Sequence, residues 1–250
     1  MRLVSLVPSW TETLIHAGAE VVGRTRYCVH PAGRVRAIPV VGGTKRVDWQ
    51  RVTGLRPDLL ILDREENPRA MADEAPVPWM ATHVTAVEDV EGELVRLAER
   101  LELPALVALA ERWRAVQRAV GAGSPAEDWC RLPGVLEWIR RPEQPVERLL
   151  YLIWHDPWMA AARGTFIGSM LALLGYGRLL GDHAEQYPRI ALEEHDPAST
   201  LLLFSSEPYP FARHRDLIGA LPFPAALVDG ESFGWYGLRA LRFLETAGGR

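Results

Sequence analysis

Two similar stretches, one in each half of the chain, constrain its fold more than any single residue does. In the first half, the apolar run 59–62 follows Arg-Pro-Asp and stops at a polar loop that ends in Pro68. In the second half, the apolar run 201–204 follows an Asp-Pro pair and stops at a polar loop that ends in Pro208. Continuously apolar runs of this length are typical of buried strands in parallel sheets. The sequence predicts two similar α/β lobes, with chance recurrence of a short strand as the alternative.

A long helix between the two stretches suggests how the lobes are connected. Pro104 begins a helical pattern that ends at Gly121, and about 18 helical residues span roughly 27 Å. We expect an N-terminal lobe at 1–103, a linking helix and connector at 104–145, and a C-terminal lobe at 146–250. Ligands of parallel α/β sheets bind outside the carboxyl ends of the strands, so two such lobes would share one ligand cleft between them.

Alternating strand and helix patterns continue through both predicted lobes. Apolar runs closed by glycine at 21–23 and 40–43 predict short strands, and Phe166–Leu174 and 238–247 predict helices. In the second half, we expect a helical turn at 136–139 and one continuous helix at 211–221.

Composition and charge exclude several classes of function. The net charge of −4 and the absence of a long basic run argue against nucleic-acid binding. No stretch approaches the roughly 20 apolar residues that a membrane span needs. The first residues do not form a secretory signal, which predicts a cytoplasmic protein as the sequence stands, or a periplasmic or extracytoplasmic one if a signal was removed. Two cysteines cannot build a disulfide framework, and we expect Cys28 and Cys130 to be free thiols in a monomer.

Aromatic residues are concentrated in or beside the loops that follow predicted strands. Indole and phenol rings present large, stiff apolar faces with a polar edge, which suits a broad planar ligand. The alternative is that several of them pack inside a lobe. The residues concerned are Trp10, Tyr27, Trp154, Trp158, Tyr209, Trp235 and Tyr236.

Metal and catalytic chemistry receive weaker support. Cys28 and His30 lie two residues apart, but no recognisable zinc spacing accompanies them, so we expect no dedicated metal site and no catalytic cofactor. His30 and His155 are candidates for an axial bond to the metal of a bound ligand, or they are ordinary hydrogen-bonding loop residues. A glycosidase would need two carboxylates flanking a cleft, and Glu65, Glu66 and Glu207 are the candidates. Glu65 and Glu66 are adjacent, however, so in an extended segment they point opposite ways. We expect no catalytic residues.

Several segments in order along the chain resemble the helical-backbone (class III) substrate-binding proteins of ABC importers. They lie at 4–14, 22–25, 41–43, 55–59 and 166–171, and the segments 24–31 and 154–159 resemble the cobalamin-binding subgroup. The resemblance implies a binding protein for a cobalamin-like ligand or another metal chelate, such as a siderophore or haem, that serves an ABC permease. The expected ligand-binding residues are Pro8, Ser9, Trp10, Tyr27, His30, Gly43, Glu66, Trp154, His155, Trp158, Glu207, Tyr209, Trp235 and Tyr236.

Two departures from the family pattern keep other functions open. The usual secretion signal is missing, and Arg69 stands in the loop where the family places a permease-docking carboxylate. The alternative is a cytosolic protein or enzyme that handles a corrinoid or tetrapyrrole in the same cleft. A third interpretation is an interaction protein without a small ligand.

Overall fold

A computed structural model of the protein describes residues 1–121, 129 and 132–248. The chain forms two compact units. The first unit contains Met1–Ala115 and Trp235–Arg242, and the second contains Val116–Gly234 and Phe243–Arg250. The predicted lobes, 1–103 and 146–250, did not include this return of the chain to the first unit. Cys130 and much of the predicted connector lie outside the described residues.

The first unit is built on a five-stranded parallel sheet with the strand order β3-β2-β1-β4-β5. Every residue of β4 is buried, as the apolar run predicted. The strands are β1 (Arg2–Ser5), β2 (Glu20–Thr25), β3 (Val40–Gly42), β4 (Leu59–Asp63) and β5 (Trp79–Thr82). The helices are α1 (Pro8–His16), α2 (Ala32–Val35), α3 (Trp49–Gly54), α4 (Arg69–Asp73), α5 (Asp89–Leu101) and α6 (Pro104–Gly121), of which α6 continues into the second unit.

The second unit contains a mixed five-stranded sheet with the order β6-β10-β9-β7-β8. The three inner strands are parallel, and both edge strands are antiparallel to their neighbours. The strands are β6 (Val135–Arg140), β7 (Arg148–Trp154), β8 (Met159–Ala161), β9 (Thr200–Ser205) and β10 (Ala225–Val228). The helices are α7 (Phe166–Leu173), α8 (Arg215–Ala220), α9 (Gly230–Gly234) and α10 (Leu238–Gly248), and short 3-10 turns lie at Gly177–Leu179, Leu192–Glu194 and Phe211–Arg213.

The two similar stretches are β4 and β9, so the predicted α/β architecture with two related sheets is confirmed. Each strand is buried along its whole length. Each continues into a polar loop, ending at Pro68 in the first unit and at Pro208 in the second. The loops after these strands therefore lie at the carboxyl edges of the two sheets.

Two local predictions in the second half were wrong. Residues 136–139 belong to strand β6 rather than to a helical turn, since their β-branched and aromatic side chains fit the antiparallel pairing with β10. The helix expected at 211–221 is divided into a 3-10 turn and α8, with His214 between them.

Local sequence explains why the helices nearest the sheet edges begin where they do. Pro8 opens α1 directly after β1, at the position where a missing backbone N–H costs no helical hydrogen bond. The hydroxyl of Thr165 caps α7 by accepting a hydrogen bond from the Gly168 amide at 3.0 Å. In the described part of the chain, no helix is both long and apolar enough to cross a membrane.

Candidate functional site

The strand order of the first unit creates a crevice at the carboxyl ends of β1 and β4. These strands are neighbours, while the chain leaves them toward opposite edges of the sheet, which is the arrangement that commonly forms ligand sites. Pro8 and Ser9 follow β1 and are buried, whereas Glu66 follows β4 and is partly exposed. Three predicted residues are therefore brought to one edge of the sheet.

Trp10 and Tyr236 are core residues of the first unit. Trp10 has no exposed surface, and its indole nitrogen donates a hydrogen bond of 2.8 Å to the Thr82 hydroxyl. Its ring centroid lies 5.1 Å from that of Tyr236, which is only 4% exposed. This burial corrects the expectation that the two rings present free faces to a ligand.

A buried carboxyl group at the end of β4 joins this core. Asp63 accepts hydrogen bonds from the Thr82 hydroxyl at 2.6 Å and from the Glu65 amide at 2.9 Å. Burial raises the pKa of Asp63, and these hydrogen bonds oppose part of the rise. Burial and the nearby Asp63 charge raise the pKa of Tyr236. Sequence reasoning missed Asp63, although a carboxylate ending an apolar strand was a visible signal.

Among the predicted ligand-binding aromatic residues of the first unit, Tyr27, His30 and Trp235 are accessible. The Tyr27 side chain is 53% exposed, and the Arg26 guanidinium lies 5.7 Å from its ring centroid. The His30 ring meets Trp235 edge-on, with centroids 5.6 Å apart. A Cβ on Gly43 would lie 3.3 Å from the Tyr27 ring, so glycine there allows the ring its present position.

Arginine approaches the accessible rings, which the sequence did not suggest. Besides Arg26, Arg239 lies over Trp235 with 5.5 Å between guanidinium carbon and ring centroid. A guanidinium over a ring face is attracted by the ring's electrons. Arg239 also donates to both carboxylate oxygens of Glu12.

The carboxylates after β4 occupy different environments. Burial raises the pKa of Glu66, with the Lys45 charge opposing the rise. Glu65 instead contacts His83, with 3.1 Å between its carboxylate and the imidazole Nε2. The two carboxylates therefore do not form a matched pair.

The Cys28 thiol is buried, not placed at an accessible surface. It lies 3.1 Å from the hydroxyls of both Thr11 and Thr25, and burial raises its pKa. The thiol is free of any disulfide. Among the described residues, no three or more His, Cys, Asp or Glu side chains are grouped so that they could hold a metal ion.

In the second unit, four predicted residues lie together at the carboxyl ends of β7 and β9. Strands β7 and β8 form a hairpin, and the loop between them contains His155 and Trp158. The His155 ring lies 4.4 Å from Trp158 and 5.9 Å from Tyr209, and the Trp154 and Tyr209 rings are 5.4 Å apart. Trp154, His155, Trp158 and Tyr209 together are called the hairpin aromatic cluster below.

The hairpin aromatic cluster rests on the core of its unit and keeps an exposed side. Trp158 is nearly parallel to Phe211, with centroids 6.2 Å apart, and Tyr209 lies 4.6 Å from the same phenylalanine. Trp154 is 43% exposed. His155 is partly exposed and makes no hydrogen bond within the described residues. Trp154 and His155 can therefore meet a ligand without moving the core.

Glu207 lies in the loop that leads from β9 to Tyr209, and a glycine fixes the path of this loop. The Glu207 carbonyl accepts a hydrogen bond from the Ser205 hydroxyl. A Cβ on Gly230 would lie 2.3 Å from that hydroxyl oxygen and 3.0 Å from the Glu207 amide nitrogen. Gly230 was not predicted as important, because its role depends on a contact between segments far apart in the sequence.

The comparisons with known proteins agree with this architecture. The model of the family described as "Periplasmic binding protein" matches residues 3–199. No curated protein sequence matches the chain.

Solved structures give the same result for the fold. The periplasmic vitamin B12-binding protein BtuF of Vibrio cholerae is 15% identical with a TM-score of 0.69, and the match covers 99% of this chain and 95% of that one. IsdE of S. aureus, crystallised with haem, is 12% identical with a TM-score of 0.74 and coverage of 99% and 97%. A periplasmic haem-binding protein of Pseudomonas aeruginosa is 23% identical with a TM-score of 0.73 and coverage of 99% and 91%.

Proposed function

This chain belongs to the periplasmic binding protein family, and from that membership we propose that it binds a metal chelate of the corrinoid, tetrapyrrole or siderophore class. The bound chelate is handed to an ABC permease. Members of the family bind substrates for transport and do not transform them. Proteins of similar fold bind vitamin B12 or haem, which supports this ligand class.

The hairpin aromatic cluster is the observation that carries the proposal. Phe211 holds the rings of Trp158 and Tyr209, and these two rings contact His155 and Trp154, so little side-chain freedom is lost when a ligand covers the exposed face. Aromatic faces of this kind suit a broad, largely apolar, planar molecule. Trp154 supplies the most exposed ring, at 43%.

His155 provides a ligand atom for the metal of such a molecule. Its imidazole is oriented by Trp158 and Tyr209, and its ring nitrogens make no hydrogen bond with the described residues. Neutral imidazole is a common ligand of iron and of neighbouring transition metals such as cobalt. We therefore assign the axial contact to His155, which lies within the hairpin aromatic cluster, rather than to His30.

In the first unit, Tyr27, His30, Gly43, Glu66 and Trp235 form the corresponding candidate surface. Exposed rings and a nearby guanidinium make this surface suitable for the edge of a chelate that carries polar substituents. Pro8 and Ser9 lie at the same sheet edge, and because their side chains are buried, they contribute to the surface through their backbone.

Titration with three chelates tests the proposal. Cyanocobalamin, ferric haem and ferrichrome are added separately, and tryptophan fluorescence is followed after correction for ligand absorbance. We expect saturable quenching by at least one of them, with the ligand recovered chemically unchanged. Failure of all three would remove the proposal, and a ligand altered with turnover would favour the enzyme alternative.

Absorbance of the haem complex tests the axial assignment. His155→Ala should shift the Soret band of bound haem, whereas His30→Ala should leave it unchanged. An unchanged spectrum for His155→Ala would withdraw this assignment while leaving binding by the aromatic rings in place.

Compartment and permease are part of the proposal. We propose the extracytoplasmic side of the membrane, the normal location of the family. Fractionation of cells that express the intact gene should find the protein there. Recovery in the cytoplasm would favour a corrinoid- or tetrapyrrole-handling role instead of import.

A further inference from the structure

The first unit contains a large groove that involves none of the predicted ligand-binding residues. Its volume is about 1010 Å³, and its walls come from the ends of β4 and β5 and from helices α4 and α5. Side chains that define this β5 groove include Arg64, Arg69, Trp79, Met80, Arg96 and Arg100.

The floor of the β5 groove is an edge strand. β5 pairs with β4 on one side and lies last in the sheet order. The amide of Leu60 donates to the Pro78 carbonyl at 2.9 Å, and the amide of Arg64 donates to the Thr82 carbonyl at 3.0 Å. The backbone N–H and C=O groups of the even-numbered residues of β5 therefore point toward β4. By alternation, the backbone groups of Trp79 and Ala81 point away from the sheet.

Apolar side chains flank these outward backbone groups on both faces of the strand. Trp79 and Ala81 share the α4 face, where Ala81 packs against the core cluster that includes Met71. Met80 projects to the opposite face by the alternation of a strand. Trp79 is 47% exposed, which is unusual for a large aromatic side chain outside an interaction surface.

Two of the arginines in the walls of the β5 groove form no ion pair with the protein's own carboxylates in the described part of the chain. Four arginines line it, but Arg69 pairs with Asp73 and Arg96 pairs with Glu93, and the lining also contains the buried Asp63 and the exposed Glu99. Within the described residues, neither Arg64 nor Arg100 has an ion-pair partner. An acidic partner would supply the missing counter-charges.

One end of the groove is already closed by the protein's own side chains. The Glu93 carboxylate accepts a hydrogen bond of 3.1 Å from the His83 amide, just beyond β5. Arg96 holds that carboxylate with contacts of 2.7 and 2.6 Å. The free edge is therefore limited to the short stretch between Trp79 and Thr82.

We propose that the β5 groove binds an extended, acidic polypeptide segment of a partner protein. The segment adds one strand to the sheet by pairing with the outward backbone groups of Trp79 and Ala81. Its side chains on alternate positions cover Trp79, and its carboxylates meet Arg64 and Arg100. This site is separate from the proposed chelate-binding surfaces.

Synthetic peptides test the proposal on the full-length chain. The probe is a fluorescein-labelled octapeptide of alternating valine and glutamate, followed by fluorescence anisotropy. We expect saturable binding that weakens as sodium chloride is raised, because exposed ion pairs are screened. The same peptide with lysine in place of glutamate should not bind.

A backbone-methylated peptide separates strand addition from simple charge attraction. Methylating the amides that face β5 keeps the charge and side chains but removes the donors, and it should weaken binding by about tenfold or more. Equal affinity of the methylated and parent peptides would overturn the proposal. Complete displacement of the parent peptide by an equal concentration of inorganic tripolyphosphate would also overturn it, since the groove would then be a general anion site.

Variants of the protein provide the reciprocal test. Ala81→Pro removes one outward N–H at an edge position where proline is tolerated, and it should weaken the peptide about tenfold while chelate binding is unchanged. Arg64→Gln with Arg100→Gln should weaken it about fivefold, whereas the exposed control Arg36→Gln with Arg178→Gln should have no effect. Wild-type affinity in both groove variants would rule the site out.

Discussion

The rings of Trp10 and Tyr236 are in contact, 5.1 Å apart, although one residue stands near the start of the chain and the other near its end. The returning segment Trp235–Arg242 is also held against α1 by a hydrogen bond and an ion pair. The Thr13 hydroxyl accepts a hydrogen bond of 3.0 Å from the Leu238 amide, and Arg239 forms an ion pair with Glu12. This packing places Trp235 beside His30, so the return of the chain helps to build the candidate surface of the first unit.

Breaking the ion pair between Glu12 and Arg239 should destabilise the protein. The guanidinium contacts both carboxylate oxygens, at 2.8 and 3.0 Å, and the Glu12 side chain is only 7% exposed. Arg239→Met keeps the aliphatic stem but leaves a buried carboxylate unpaired, which should lower the free energy of unfolding by about 3 kcal/mol. Urea denaturation measures the change.

A surface pair serves as the control for this experiment. Arg69 and Asp73 are 92% and 63% exposed and 3.8 Å apart, so Arg69→Met should cost less than about 1 kcal/mol. If Arg239→Met costs no more than the control, the pair is solvated in solution. Adding Glu12→Gln to Arg239→Met should recover part of the loss, because no charge is then buried alone.

Gly230→Ala should disturb the loop that carries Glu207 and Tyr209. The added Cβ would lie 2.3 Å from the Ser205 hydroxyl oxygen and 3.0 Å from both the Cγ and the amide nitrogen of Glu207, so relief requires the Ser205 side chain and the Glu207 segment to move. We expect a loss of about 1–3 kcal/mol in the free energy of unfolding and weaker chelate binding.

The matched control is Gly219→Ala. Gly219 lies in α8, and a Cβ there meets nothing within 4 Å. Alanine should leave stability unchanged or raise it by up to about 1 kcal/mol, because alanine favours helix. Similar losses in the two variants would mean that steric pressure on the loop is not the cause.

Much of the architecture could be predicted because continuous apolar runs report burial directly. β4 and β9 were found in this way, and α6 was predicted with its observed bounds. β8 was missed, since three residues carry too little pattern and its pairing with β7 is a tertiary feature. β6 has six residues, but it was misassigned because its antiparallel pairing with β10 is also a tertiary feature.

The candidate site was predictable where one strand end explains it and unpredictable where distant segments meet. Trp154 is the last residue of β7 and Tyr209 follows β9, and these strands are neighbours in the sheet, so the proximity of the two rings follows from parallel pairing. The burial of Trp10 was not foreseeable, because its main partner, Tyr236, comes from the opposite end of the chain. Local periodicity contains no information on such a contact.

Asp63→Asn should change how stability depends on pH. Burial raises the pKa of Asp63 in the folded protein above the unfolded value of about 3.9. At pH values between the unfolded and the folded pKa of Asp63, the folded state binds more protons than the unfolded state. The stability that this group contributes is therefore present at low pH and is lost as pH rises through the folded pKa. Asparagine cannot ionise, so the Asp63→Asn variant does not lose this stability as pH rises.

Denaturation at several pH values between about 4 and 7 measures this effect. The free energy of unfolding of Asp63→Asn, relative to the wild type, should increase with pH. Asp182→Asn, at a side chain that is 92% exposed, sets the surface baseline. A relative stability of Asp63→Asn that stays constant with pH would show that the carboxyl group does not titrate across this range.

Trp154→Ala should weaken chelate binding far more than it affects stability. The ring is 43% exposed at the edge of the hairpin aromatic cluster, so truncation leaves the core contacts of Trp158 with Phe211 intact. If a ligand covers about 100 Å² of this ring, the loss at about 25 cal/mol per Å² is about 2.5 kcal/mol, or nearly two decades in affinity.

Fluorescence titration compares Trp154→Ala with two other tryptophan variants. Trp138→Ala in β6 should bind the chelate as the parent does, because this residue lies outside the cluster. Trp158→Ala should lose both affinity and stability, since its ring stacks on Phe211. Parent-like affinity in Trp154→Ala, with normal binding by the wild type, would move the ligand away from the exposed face of the hairpin and leave the binding function itself in place.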